Sequence, residues 1–137
     1  MAIYLNHHLE SMEQKLKFKD RQKDIESISS VIESYVEGGR KGDASIMKTA
    51  FHKNATIHGL VNGSLFGGPI QIMFDWVKEN PPATNLKAEI VNIDLANTVA
   101  TARVELSDWN GARYTDQFTL LKENDTWTIT SKVFHSY

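Results

Sequence analysis

The sequence predicts an α+β domain in which a curled, cone-shaped antiparallel sheet packs on about three N-terminal helices. Two observations carry this prediction. Apolar residues recur at helical spacing through the first half of the chain, and from Leu86 onward the apolar period becomes two. Helical and strand segments that are segregated along a chain in this way are typical of α+β architecture. We place a single domain at residues 24–137, preceded by an N-terminal extension over residues 1–23 that we expect to be helical.

The N-terminal extension has an apolar stripe with steps of four, three and four residues, which is one face of a helix. The stripe consists of Leu5, Leu9, Met12 and Leu16. We therefore expect the extension to dock on the domain. The next helix is predicted to begin at an Asp24 N-cap and to end at Gly38, a residue that favours a helix stop.

Two shorter helices are predicted before the sheet begins. One should run from an N-cap at Asp43 to about Phe51. The other should have Pro69 at its first position, where a missing N–H costs nothing, and should end at Pro81-Pro82. Between them, residues 55–66 read as a small hairpin, because Asn62-Gly63 favours the positive φ angles of a type I′ turn.

The second half of the chain predicts a four-strand antiparallel meander. A bulge near Ile90-Val91 would bring two apolar sets of opposite parity to one face. A three-residue loop over residues 109–111 would pair Val104 with Asp116. In the last strand, Trp127, Ile129, Ser131, Val133 and His135 share the inward parity, with Ile129 beside Phe118 and Ser131 beside Asp116.

Composition excludes several classes of function. The chain has 137 residues, a net charge of −2 and no cysteine. Without a basic stripe, binding to a phosphate backbone is not expected. No apolar run approaches the ~20 residues that span a bilayer, and no signal peptide is recognisable at the start. We therefore expect a cytoplasmic domain that binds neither nucleic acid nor membrane, with no disulfide and no thiolate site.

Asp116 is the most informative candidate for chemistry. It shares its strand parity with Tyr114 and Phe118, which should face the interior of the curled sheet. A buried carboxylate is costly unless it is paired, hydrogen-bonded or protonated. We interpret Asp116 as an acid or base with a raised pKa, or as a ligand anchor. The alternative is that the sheet twists there, so that Asp116 meets water, Ser131 or a cation.

Aromatic and histidine side chains complete the predicted ligand site. Aromatic rings suit a flat ligand because they combine apolar area with a polar handle. The predicted ligand-binding residues are Tyr35, Phe51, His58, Trp76, Trp109, Tyr114, Asp116 and His135. His58 has the outward parity and would reach the pocket only if its strand is bulged. The histidines lack metal-ligand spacing and no phosphate-binding glycine motif occurs, so we expect no metal and no cofactor.

Two segments of the sequence resemble the nuclear transport factor 2-like superfamily. They are SYVEGGRKGDASIMKTAFHKNATIHG and DTWTITSKVFHSY, and the resemblance runs from about Ile25 to Tyr137. Within the superfamily the chain looks most similar to small bacterial proteins described as SnoaL-like or putative lumazine-binding. The resemblance implies a cystatin-like α+β cone. It does not fix the chemistry, because one fold hosts many functions.

A residue-by-residue comparison with ketosteroid isomerase-like members makes Tyr35 a candidate catalytic residue beside Asp116. The spacing from Tyr35 to Gly42-Asp43 matches the phrase in which their tyrosine donates a hydrogen bond to the oxyanion. At the position of their basic carboxylate this chain has Gly59, and their second carboxylate would fall near Phe118. The resemblance therefore does not support their mechanism.

We interpret the chain as a domain that binds a small apolar or aromatic molecule in a pocket. The first alternative is a cofactor-independent isomerase, dehydratase or cyclase, in which Asp116 exchanges a proton and a Tyr or His polarises a carbonyl. The second is a purely structural dimerisation module. We also expect a homodimer that forms through the outer sheet face, where Thr, Gln and charged residues alternate with the core.

Overall fold

One long helix and a curled six-stranded sheet make up most of the fold. The computed structural model describes the backbone of residues 2–137 and the side chains of residues 11–137. The elements, in chain order, are α1 (Ala2–Lys41), α2 (Ala44–Lys48), β1 (Phe51–Val61), β2 (Ser64–Pro69), α3 (Gln71–Glu79), β3 (Lys87–Ala96), β4 (Val99–Trp109), β5 (Ala112–Glu123) and β6 (Thr126–Ser136).

The strand order in the sheet is β2-β1-β6-β5-β4-β3. All neighbours are antiparallel except β1 and β6, which run parallel. The predicted α+β class and curled sheet are confirmed. The parallel pair is new, and it makes the sheet mixed rather than antiparallel throughout.

The N-terminal extension and the helix predicted after it are one continuous helix, α1. The N-cap predicted at Asp24 is wrong, because Asp24 lies inside α1. Its carboxylate accepts hydrogen bonds from Lys122 Nζ at 2.9 Å and Trp127 Nε1 at 3.0 Å, which tie α1 to the sheet. The predicted stop at Gly38 is also wrong: α1 continues to Lys41, and Gly42 follows in the left-handed conformation with φ 62°.

The described part of the apolar stripe does not pack on the domain, although Arg21 of the extension donates a hydrogen bond to the Leu95 carbonyl at 3.2 Å. Met12 and Leu16 are 48% and 58% exposed, so this half of the predicted apolar stripe faces solvent. The side chains of Leu5 and Leu9 lie outside the described residues. The boundary at residue 24 stays a prediction, since α1 passes it without interruption.

The core lies between the concave face of the sheet and one side of α1. Ile28, Ile32 and Tyr35 are fully or almost fully buried and lie on one stripe of that helix. Gly38 lets α2 approach α1, because a Cβ on Gly38 would lie 2.5 Å from the Cβ of Met47.

The two short helices begin and end close to the predicted residues. Asp43 caps α2 as predicted, accepting hydrogen bonds from the backbone of Ser45 and Ile46. The helix ends at Lys48, before Phe51, which instead opens β1. Pro69 is the last residue of β2 rather than the first of α3.

The predicted pairing of β4 with β5 is confirmed, although the loop that joins them is not the predicted one. Val104 lies opposite Asp116. The loop is a two-residue turn at Asn110-Gly111, with both φ angles positive. The third residue that we predicted in the loop lies instead within β4. That strand has a bulge between Leu106 and Trp109, where Asp108 has φ 60°.

The predicted register of β6 is wrong: Ile129 lies opposite Leu120 and not beside Phe118, and the predicted inward parity fails beyond Ile129. Leu120 pairs with Ile129, whereas Thr119 pairs with Ser131, so Thr130 is an extra residue in β6. A bulge of this kind reverses which side chains point inward. Asp116 therefore lies opposite Phe134 and not beside Ser131. Lys132 and Phe134 point to the concave side, while Val133 and His135 point outward.

Candidate functional site

The concave side of the sheet holds a cavity of about 320 Å³. This volume lies near the lower end of the range of small-molecule pockets, ~300–1,000 Å³. Three of its residues are large aromatic side chains with a polar atom: Trp76, Trp109 and Tyr114. Five are apolar: Ile57, Val61, Phe66, Met73 and Phe134.

Among the side chains that the structure describes, Lys132 is the single charged one in the cavity wall. Its side chain is 8% exposed, and its ammonium Nζ lies 3.4 Å from Met73 Sδ. The same atom lies 5.3 Å from the ring centroid of Phe134 and 5.8 Å from that of Trp109. A lysine therefore contributes to the wall of an otherwise largely apolar, aromatic cavity.

Lys132, Tyr35 and Asp116 form a hydrogen-bonded chain, which we call the buried trio. Lys132 Nζ donates to the hydroxyl of Tyr35 at 2.7 Å, and that hydroxyl donates to Asp116 Oδ2 at 2.7 Å. The direct distance from Nζ to Oδ2 is 3.7 Å. Tyr35 and Asp116 are fully buried behind Lys132 and do not line the cavity. A path for a proton thus leads from the cavity wall to a carboxyl in the core.

Burial dominates the electrostatics of the trio. It raises the pKa of Asp116 above the ordinary 3.8, although the charge of Lys132 and the Tyr35 hydrogen bond oppose the shift. It lowers the pKa of Lys132 below 10.5, against the charge of Asp116. Burial and the charge of Asp116 raise the pKa of Tyr35 well above 10.0, so its hydroxyl remains a donor at neutral pH. The ion pair and its neutral form, which differ by one internal proton transfer, are brought closer in free energy.

One oxygen of the trio lacks a partner. Asp116 Oδ1 is buried and has no hydrogen bond with any described residue. An unpartnered buried oxygen stabilises the carboxylate less than a fully hydrogen-bonded one would. This adds to the reasons why the protonated form of Asp116 is accessible.

Five of the predicted site residues lie together around the cavity and the trio: Tyr35, Trp76, Trp109, Tyr114 and Asp116. Their rings contact one another: Trp109 lies 5.8 Å from Tyr35, 6.0 Å from Trp76 and 6.1 Å from Tyr114, measured between ring centroids. Strand parity predicted the inward direction of Tyr114 and Asp116, whereas Trp109 was predicted in a loop and lies instead at the end of β4.

The other three predicted residues lie elsewhere. Phe51 is buried in the core against the rings of Tyr35 and Phe74. His58 is exposed on the opposite face of β1. The predicted condition, a bulge that turns this side chain toward the pocket, is therefore not met. The inward orientation predicted for His135 is wrong, because the extra residue Thr130 turns His135 to the exposed face.

Sequence reasoning missed Lys132 and Phe134. Both follow the bulge at Thr130. No residue of this strand is of a type that would indicate the bulge in the sequence. One signal was present: a carboxylate placed on the inner face requires a cation or a proton, and Lys132 is a cation close to the expected neighbour Ser131.

Gly59, which the sequence comparison aligned with the base of ketosteroid isomerase-like enzymes, packs against the ring of Phe134. A Cβ on Gly59 would lie 2.4 Å from the ring of Phe134, so a larger side chain cannot enter without displacing that ring. The acidic group of the site comes instead from β5, at Asp116. This agrees with the sequence comparison, which did not support the mechanism of those enzymes.

Among the described residues, no three His, Asp or Glu side chains are grouped as metal ligands would be. No helix in the described part of the chain is both long and apolar enough to cross a membrane.

Comparisons with known proteins agree with the fold. A family model described as putative lumazine-binding matches residues 23–135. A relative from Cladobotryum sp, named aldolase FrzH, is 32% identical over 116 residues, covering 83% of this chain and 92% of the relative.

Solved structures of NTF2-like proteins of unknown function are also similar. Those from Methylobacillus flagellatus KT and Shewanella baltica OS155 are 44% and 42% identical, with TM-scores of 0.82 and 0.80. Each comparison covers 84% of this chain, and 93% and 94% of the other. A cystatin-like domain from Nostoc punctiforme PCC 73102 has 11% identity and a TM-score of 0.65 over 84% of this chain and 78% of that one, which shows the fold alone.

Proposed function

The chain belongs to the putative lumazine-binding family of the nuclear transport factor 2-like superfamily, and on that premise we propose that it is a cofactor-independent enzyme acting on a small carbonyl compound. The observation that carries the proposal is the buried trio, Lys132–Tyr35–Asp116, which adjoins a largely apolar cavity through Lys132. An acid–base pair beside an apolar cavity suits proton transfer better than it suits packing alone.

The proposed reaction step is removal of a proton from the carbon next to a carbonyl group. In the neutral form of the trio the Lys132 amine would take up this proton, and the ammonium so formed would stabilise the negative charge that develops on the carbonyl oxygen. Tyr35 and Asp116 would hold the second proton of the trio and keep the Lys132 amine neutral before the step. Isomerisation, dehydration, cyclisation and aldol addition all share this step. The similarity to a relative named an aldolase supports carbonyl chemistry of this class.

The walls of the cavity support an aromatic or otherwise apolar substrate. Trp76, Trp109 and Tyr114 offer ring surface, while Lys132 supplies the single charged contact. Such a lining favours a compound with one polar group to orient and a flat body to bury.

Deuterium exchange tests the proposal without knowledge of the natural substrate. Aryl ketones such as 2-acetylnaphthalene, preselected by thermal shift, would be incubated with the protein in D2O. Loss of the proton signals next to the carbonyl would be followed by NMR. We expect exchange above the buffer rate, and a loss of about 10²-fold in Asp116→Asn and Tyr35→Phe.

The chain offers a matched control for this experiment. Asp24 also accepts a hydrogen bond from a lysine, Lys122, but lies away from the cavity, so Asp24→Asn should retain the exchange activity. Ketones that bind but exchange no faster than in buffer would contradict the proposed function.

A second candidate is reversible binding of a flat heterocycle without reaction, which the family description and the aromatic walls both support. Titration calorimetry with 6,7-dimethyllumazine measures it. Binding that is lost in Trp109→Ala, together with the absence of ketone exchange, would favour this candidate over the enzyme.

A further inference from the structure

We infer that Lys132 acts as a covalent amine catalyst, forming an iminium with the aldehyde or ketone that enters the cavity. The inference rests on the proposed function and deepens it, because it changes Lys132 from a base and electrostatic contact into the group that bonds to the substrate. It begins from geometry: Lys132 is the only member of the trio in the cavity wall, and its amine donates a hydrogen bond to the buried Tyr35 hydroxyl.

The surroundings of Lys132 favour the neutral amine that such a reaction needs. Its Nζ is surrounded by aromatic rings and the Met73 sulfur, donates to the Tyr35 hydroxyl, and has Asp116 Oδ2 at 3.7 Å. Burial lowers the pKa of this amine, which increases the fraction that can act as a nucleophile at neutral pH. The exposed lysines of the chain do not share this environment.

The buried trio contains the proton that the reaction consumes. In its neutral form Asp116 holds a proton and Lys132 is a free amine. The amine nitrogen bonds to the carbonyl carbon, and a proton moves from nitrogen to oxygen to give a carbinolamine. The Asp116 proton, passed through the Tyr35 hydroxyl, then protonates the departing oxygen. The C–O bond breaks, one water leaves, and a C=N⁺ bond remains.

The charges before and after this step also match the site. A neutral acid and a neutral amine become a carboxylate beside an iminium cation, which is the charge pattern of the Asp116–Lys132 ion pair at 3.7 Å. No external acid, oxidant or metal enters the balance. The iminium withdraws electrons from the neighbouring carbon, so the proton there is lost more easily, and the resulting enamine carbon can attack an electrophile.

Reductive trapping tests this inference. The protein would be incubated at pH 7 with 2-naphthaldehyde and sodium cyanoborohydride, and the adduct would be located by intact mass and peptide mapping. We expect one adduct per chain, at Lys132, to form before the exposed lysines react. Mapping in the wild-type protein avoids dependence on a variant that fails to fold.

Variants show whether the amine itself is needed. Lys132→Arg keeps the positive charge beside Asp116 but removes the nucleophile, so the early adduct should disappear. Lys122→Met, which removes the lysine paired with Asp24 on the surface, should leave it unchanged. Circular dichroism confirms that both variants fold.

Binding of the alcohol 2-naphthylmethanol, measured by calorimetry, separates failure of this inference from failure of the proposed function. If the alcohol binds and ketones exchange deuterium but 2-naphthaldehyde is not trapped at Lys132, the covalent step is wrong and the proposed function stands. Trapping spread evenly over exposed lysines would also overturn the inference. If neither binding, exchange nor trapping at Lys132 occurs, both proposals fail.

Discussion

Replacing Lys132 by methionine should destabilise the fold by an amount that depends on pH. Methionine is unbranched and similar in length, so the substitution removes the charge with little change in volume. It leaves Asp116 as a fully buried carboxyl with one hydrogen bond, from Tyr35. A buried charge without its partner is so unfavourable that Asp116 should take up a proton when the variant folds.

The magnitude follows from the unfolded chain, where Asp116 has the ordinary pKa of 3.8. Binding a proton costs about 1.4 kcal/mol for each pH unit above that value, so the loss is at most about 4 kcal/mol at pH 7 and about 1.6 kcal/mol at pH 5. The folded variant holds one more proton than the unfolded chain. Its stability therefore falls as the pH rises above 3.8.

Other ionisable groups near Asp116 do not change charge over this range. Burial raises the pKa of Tyr114 above 10.0, and that of Tyr35 is raised further. The hydrogen bond from Thr115 lowers the pKa of Glu105 below 4.5. The slope of stability against pH can therefore be assigned to Asp116.

The opposite variant, Asp116→Asn, should show the opposite slope. Lys132, whose ordinary pKa is 10.5, must then lose its proton on folding, which costs about 5 kcal/mol at pH 7 and about 2 kcal/mol at pH 9. The double variant has neither buried charge. Its stability should change little with pH relative to wild type.

Urea unfolding followed by tryptophan fluorescence at pH 5, 7 and 9 measures all four proteins. Lys87→Met, at an exposed lysine of β3, is the control and should have a small effect at every pH. A cost for Lys132→Met that is equal at pH 5 and pH 7 would refute the reasoning, because Asp116 would then not gain a proton on folding.

Three further predictions concern packing, the tie between α1 and the sheet, and assembly. Gly59→Ala should push the ring of Phe134 into the cavity, costing about 1–3 kcal/mol in urea unfolding and abolishing calorimetric binding of 2-naphthylmethanol. Asp24→Ala should lower the melting temperature, because it removes the carboxylate that ties α1 to the sheet. In the wild-type protein the stabilisation from this carboxylate is lost when acid protonates Asp24. Although partial burial opposes charging of Asp24, hydrogen bonds from Lys122 and Trp127 lower its pKa below 3.8, so the contribution is present above that pH. Light scattering should give twice the 15.5 kDa of the chain, and Val133→Arg, on the outer face of the sheet, should give the monomer mass; a monomeric wild type would contradict the expected dimer.

Strand parity sufficed to predict the inward direction of Asp116, because an error in loop length was cancelled by a bulge. The sequence predicted that Val104 and Asp116 pair, and they do. Parity failed after Ile129, since one extra residue reverses the faces of a strand. Thr130 has the same β-forming character as its neighbours, so local propensity could not reveal it.

The helix boundary at Asp24 could not be predicted for a different reason. A residue that favours an N-cap also tolerates a helix interior when its side chain finds another donor. Asp24 finds two, on Lys122 and Trp127, and the polar run before it is rich in lysine, a good helix former. Contacts with residues about 100 positions away in the sequence thus determine whether α1 begins at Asp24 or continues through it.

The buried trio also has a consequence for the order of folding. Tyr35 is 81 positions from Asp116 and 97 from Lys132 along the chain, so the trio forms only when two long loops of the chain close. Partly folded forms that lack β6 would have the cavity walls of α3 and β1 but no amine. A molecule held by Lys132 would contact β1, α3 and the last strand at once, and its binding should slow global unfolding rather than local opening.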